Sequence, residues 1–163
     1  GDSTQLKGVT PDIPFPSALE PGEYGEAEEE NALPWDKVPV AQYGTLGEIY
    51  PQLITNLDGK HKDRIKNDVE FGYIFQDIAE FKENHDDKTV SLVKSERLAE
   101  RDDNDQKQLD RANDRLVREG EEKVKSLDDI PDDVEVADAF LDETAFITLD
   151  LADIEKLAKN QQK

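Results

Sequence analysis

The sequence predicts a mainly α fold, a helical domain preceded by a short extended or β stretch. Three observations carry that reading. Seven of the eight prolines (Pro11, Pro14, Pro16, Pro21, Pro34, Pro39 and Pro51) lie within the first 51 residues, where missing amide protons and the extended bias of each preceding residue exclude continuous helix. Beyond Gly44 apolar residues recur at helical spacings in four successive stretches. Helix punctuation frames them: Pro51 suits a first turn, Asp68, Ser95 and Asp138 are acceptable N-caps, and Gly120 is a natural stop.

Taken in order, Leu6 to Val9 reads as a short strand closed by Thr10-Pro11. Residues 20 to 36 hold seven acids (Glu20, Glu23, Glu26, Glu28, Glu29, Glu30, Asp36) and no base, the pattern of a solvated loop. Trp35, the single tryptophan, stands in this stretch, and its large apolar area predicts that the loop is pinned there.

The first helix, about 51–66, places Leu53, Ile54, Leu57, His61 and Ile65 largely on one face, with Gly59 weakening its middle. The second, about 68–84, carries the stripe Phe71, Ile74, Phe75, Ile78 and Phe81. Thr89 to Val93 is short and β-branched, an extended segment or a lone strand. A third helix, about 95–119, is sparse in apolar residues (Leu98, Leu109, Ala112, Leu116, Val117), and Asp102 and Asp105 stand where a heptad wants apolar groups. It reads as a projecting arm supported by acid-to-base pairs such as Asp103 with Lys107 and Asp114 with Arg118. Residues 121–137 form an acidic loop through Asp128, Asp129, Asp132 and Asp133. The last helix, about 138–159, is the most apolar and the best core candidate, with Phe140, Leu141, Ile147, Leu151, Ile154 and Ala158 on one face, widened by Phe146, Leu149 and Leu157.

The core is small. Leu, Ile, Val and Phe make 40 of 163 residues, modestly above the roughly 20% level at which high charge signals disorder. Forty acids against 20 bases give a net charge of −20, which repels a phosphate backbone or an anionic membrane and argues against nucleic acid as a partner. Cysteine is absent, so disulfides, cysteine zinc sites and thiol nucleophiles are excluded. No apolar run approaches the roughly 20 residues needed to span a bilayer, so no membrane insertion is expected. The lack of any Met is read as the mark of an excised or processed segment.

Candidate chemistry is thin. Ser91-Leu92-Val93-Lys94 has the S-x-x-K spacing in which a desolvated lysine deprotonates a serine, but no companion motif supports it and a structural role is preferred. His61 and His85, the only histidines, are too far apart in sequence for a helical metal pair and are expected at the surface or at helix ends. Asp102-Asp103-Asn104-Asp105 begins like a calcium loop, then fails at Gln106 and at Lys107, where the turn needs glycine. That run and Glu26 to Glu30 are read as solvated charge. No Gly-x-Ser-x-Gly elbow is present. The reading assigns no catalytic residue, no cofactor and no metal ligand to this chain.

Three strings say more. Ser3-Thr4-Gln5-Leu6-Lys7-Gly8-Val9-Thr10-Pro11-Asp12-Ile13 resembles the end of the protease core in the tail-specific, or carboxy-terminal processing, proteases. Asn31-Ala32-Leu33-Pro34-Trp35-Asp36 and Phe140 with Leu141-Asp142-Glu143-Thr144 narrow the resemblance to the long Gram-negative periplasmic members. It implies a serine endopeptidase that recognises nonpolar C-terminal tails through a PDZ domain and cuts with a Ser/Lys dyad, none of whose residues maps onto this chain. On that resemblance residues 1–20 are the end of the protease core, 21–44 an acidic connector anchored by Trp35, and 45–163 a helical C-terminal domain, a non-catalytic scaffold in the periplasm. Its implied partners are the PDZ and protease domains of the parent and substrates with nonpolar tails, with an adaptor protein also allowed. The alternative is an independent acidic protein-interaction module.

Overall fold

The computed structural model describes residues 3–6, 8–19, 25–44, 49–85, 89–131 and 138–161. Lys7, Glu20, Pro21, Glu23, Asp132 and Asp133 fall outside these, as do the side chains of His85, Leu157 and Ala158. Among the described residues there are four α-helices and no strand: α1 Pro51–Ile65, α2 Val69–His85, α3 Lys94–Glu119 and α4 Ala139–Gln161, with 3-10 turns at Glu26–Glu28 and Leu127–Asp129. The fold is mainly α. The chain divides into two compact units, one built from Gly1–Asp86 with Asp138–Lys163 and the other from Asp87–Ala137.

In the first unit, Pro51 opens α1 behind an extended Tyr50, as its fixed φ favours. Leu53, Leu57, His61 and Ile65, each one turn further on, are the buried face. Asp68 caps α2 by accepting the Phe71 N–H at 2.9 Å, and Asp138 caps α4 by accepting from Leu141 at 3.0 Å. Phe15 from the proline-rich N-terminal stretch joins the helices: its ring lies 4.8 Å from His61, 6.3 Å from Phe71 and 5.4 Å from Phe140, centroid to centroid. Phe71 meets Phe140 edge-on at 5.8 Å, a favoured aromatic geometry.

The strand expected at Leu6 to Val9 is replaced by a tight turn. Leu6 and Gly8 both have left-handed φ, 65° and 58°, and the Gly8 N–H donates to the Thr4 carbonyl at 2.8 Å. Glu26 fastens this turn, taking hydrogen bonds from the Gln5 side-chain amide and from the Leu6 N–H at 3.2 Å. Half-buried Trp35 donates its indole N–H to the Ser3 carbonyl at 3.1 Å, and the Lys37 ammonium lies 5.0 Å from the centre of its ring.

In the second unit α3 begins one residue before the expected cap. Val93, not Ser95, is the N-cap and offers no side-chain acceptor. Ser91 compensates: its Oγ accepts the Val93 N–H at 3.1 Å while its hydroxyl donates to Glu96. At the far end Gly120 takes φ 87°, its N–H reaches the Val117 carbonyl at 3.1 Å and Glu121 reaches Leu116 at 2.8 Å, the two bonds of a Schellman motif. Asn113 then clamps the returning chain, donating to the Val124 carbonyl at 3.0 Å and accepting its N–H at 2.7 Å. The Leu127–Asp129 turn packs back on α3, whose one buried residue is Leu116. Thr89 to Val93 is irregular rather than a strand, with Leu92 exposed.

Candidate functional site

A connected group of charged side chains lies in the seam between α1 and α4 of the first unit. The i, i+4 ladder that buries Leu57, His61 and Ile65 sets Lys60 and Arg64 on its flank, one turn apart. On α4, Glu143 and Asp150 stand two turns apart on the face that also carries half-buried Ile147 and Ile154. His61 Nδ1 is 3.0 Å from Glu143 Oε1, and Arg64 grips the same carboxylate through Nη2 at 2.7 Å and Nε at 3.0 and 3.1 Å. Arg64 Nη1 also donates to Asp150 at 2.5 Å, and Lys60 donates to Asp150 at 2.7 Å. The Phe146 ring, between the two acids on α4, lies 5.7 Å from the guanidinium carbon.

Burial would push the Glu143 carboxyl up, since a charge loses solvation inside the protein. Hydrogen bonds from Arg64 and His61, with their charges, outweigh that and hold it below the usual carboxylate range. At Asp150 burial is likewise outweighed, by Lys60 and Arg64, and its pKa is lowered. The Arg64 guanidinium is pushed up, chiefly by its hydrogen bond to Glu143. An ionised carboxylate only accepts hydrogen bonds, so His61 Nδ1 carries the proton. His61 Nε2 is buried without a hydrogen-bond partner among the described residues.

This arrangement suits fastening better than proton transfer. Both oxygens of Glu143 are taken by donors fixed on α1, and Glu143 itself is 4% exposed. Among the described residues no group of three or more His, Cys, Asp or Glu is placed to hold a metal ion, and no helix is long and apolar enough to cross a membrane.

The structure scatters the candidates read from the sequence. His61, expected at the surface or at a helix end, is instead core, because Glu143 satisfies its Nδ1 and the rings of Phe15 and Phe71 flank the imidazole. The backbone of His85 ends α2. Ser91 is engaged by Glu96 and Val93, while Lys94 is exposed and so lacks the desolvation that a lysine base needs. Asp102 to Asp105 lie inside α3 as continuous exposed helix, so no calcium-type loop forms. Glu28 to Glu30 are exposed, whereas Glu26 is tied to residues 5 and 6. Sequence reasoning missed Glu143, Asp150, Lys60 and Arg64. The available signal was two acids seven residues apart within the apolar pattern of α4, matched by a histidine within the apolar face of α1.

Comparison with known proteins identifies the family. Residues 19–153 match the family described as the C-terminal domain of tail specific protease. A tail-specific protease of Haemophilus influenzae is 42% identical over 152 residues, covering 92% of this chain and 22% of that protein. The chain thus spans about a fifth of the length of that relative. Matched over most of its length, it belongs to the family of C-terminal domains of tail-specific proteases.

Proposed function

We propose that this chain is the non-catalytic helical end of a periplasmic serine endopeptidase that selects proteins by their nonpolar C-terminal tails. Within it residues 1–20 are the end of the protease core, 21–44 an acidic connector held at Trp35, and 45–163 the helical domain. The PDZ and protease domains of the longer polypeptide are its partners, and the helical domain shapes the route by which substrates arrive. The observation carrying this reading is the family match across residues 19–153. The α1–α4 seam supports a scaffolding role, since its charged groups are consumed in holding two helices together.

Deleting residues 45–163 from the longer protein and following degradation of substrates that differ only in their last residues tests the role. Altered tail dependence or access of bulky substrates is expected. Unchanged activity, specificity and stability would remove the proposal. An independent acidic interaction module is the second reading, favoured by the net charge of −20 and the exposed acids of α3. It predicts a salt-sensitive complex of the isolated chain with a basic protein.

A further inference from the structure

Helix α4 is reversed in polarity relative to an ordinary surface helix. Its inward face, against α1, carries Glu143, Ile147, Asp150 and Ile154, two of them acids bonded to Arg64. Its outward face, about half a turn away, carries Leu141, Ala145, Leu149 and Ala152, spaced i, i+4, i+8 and i+11. All four are exposed, Leu141 by 65% and Leu149 by 61%. Thr144 and Thr148 flank this stripe, and their hydroxyls donate to the carbonyls one turn back, Phe140 at 2.7 Å and Thr144 at 2.8 Å. With the hydroxyls engaged locally, the threonines add methyl groups to the outer face. An apolar stripe on the outer face of a helix whose inner face is already packed is a surface that calls for a second cover.

We propose that this outer stripe of α4 is the surface on which the preceding portion of the longer polypeptide docks. The inference rests on the reading of the chain as the C-terminal part of a protease, and adds to it the face that is used. Two observations choose the occupant. The related protease is several times longer than this chain, which covers 22% of it, so tethered polypeptide is on hand at the millimolar effective concentrations typical of short linkers. A second copy would bring a net charge of −20 against −20, which opposes self-association. The face itself asks for an apolar counterpart, and the acids at its margin, Asp142 and Asp153, favour basic groups around it.

The chain contains no cysteine, so an introduced thiol reports cleanly on its own surroundings. Leu141→Cys and Leu149→Cys, each made separately, are to be compared with Gln52→Cys, an exposed position at the start of α1. Maleimide labelling is read at the mapped peptide, both in the 163-residue chain and in the longer protein. All three positions label at similar rates in the chain alone. In the longer protein labelling at 141 and 149 slows by about tenfold or more, while position 52 is unchanged. Equal rates in both proteins would overturn the proposal. So would slowing in the 163-residue chain that grows with its concentration, since that identifies a second copy as the occupant. The measurement needs no substrate, so a failure to dock and a failure of the protease reading are told apart.

Discussion

His61 on α1 donates its Nδ1 proton to Glu143 on α4 across 3.0 Å, and 82 residues of sequence separate the two. The contact ties α1 to α4 inside the first unit. The first expectation concerns its removal. Glu143→Ala leaves a buried imidazole N–H and the inner half of the Arg64 guanidinium without an acceptor, and the expected loss is about 2–4 kcal/mol. Asp150→Ala removes a more solvated partner of Lys60 and Arg64, with an expected loss of about 0.5–1 kcal/mol. Urea unfolding followed by helical circular dichroism ranks the two, and the reverse order would contradict the placement of Glu143 at the centre of the seam.

Acid should release the same seam. Glu143 and Asp150 both have folded pKa values below their ordinary ones, so each contributes stability that is present above its unfolded pKa, about 4, and is lost as pH falls through the folded value. Protonating the many other acids at the same time relieves repulsion in a chain of net charge −20, which masks the effect in the native protein alone. The diagnostic quantity is therefore a difference. The stability gap between the native chain and Glu143→Gln is expected to be constant from pH 7 to about 5 and to shrink below about pH 4. A gap that widened on acidification would have the wrong sign.

Two glycines are expected to respond in opposite directions. Gly59 lies inside α1 with nothing within 4 Å of the position a Cβ would take. Gly59→Ala is expected to stabilise by about 0.5–1 kcal/mol, because the unfolded chain loses freedom and the folded one meets no obstacle. Gly120, at φ 87°, closes α3; Gly120→Ala forces a side chain into the left-handed region and is expected to cost about 1 kcal/mol. Thermal midpoints shifting up for the first and down for the second check both.

Asn113 substitutes for a neighbouring strand at Val124, meeting both its N–H and its carbonyl. Asn113→Ala is expected to cost about 1–2 kcal/mol and to speed hydrogen exchange at the Val124 amide. Asn113→Asp keeps the acceptor for that amide and loses the donor, so exchange at Val124 is expected to stay slower than in Asn113→Ala.

Helices were legible because their signals are local. Pro51, Asp68, Asp138 and Gly120 act through bonds to residues within five positions, and each is found in the role its type suggests. Ser95 misled because two candidates competed: Ser91 and Glu96 together stabilise a start one residue earlier. The turn at Gln5 and Leu6 was missed because Leu6 with positive φ is uncommon for a non-glycine residue. The seam was invisible for a different reason. Charged residues in an apolar pattern read as interruptions until a partner on a distant helix is known, and nothing local pairs Arg64 with Glu143.

The first unit is closed by its two ends, since residues up to Asp86 must meet those from Asp138 onward while Asp87–Ala137 forms a unit of its own between them. Joining them is the closure of a long loop. Bringing His61 to Glu143 spans 82 residues of sequence, an entropic cost of roughly 4 kcal/mol from the length dependence alone. Until α4 is seated, His61 Nδ1 and the Arg64 guanidinium have no Glu143 carboxylate to donate to, so the charged seam forms only as the unit closes.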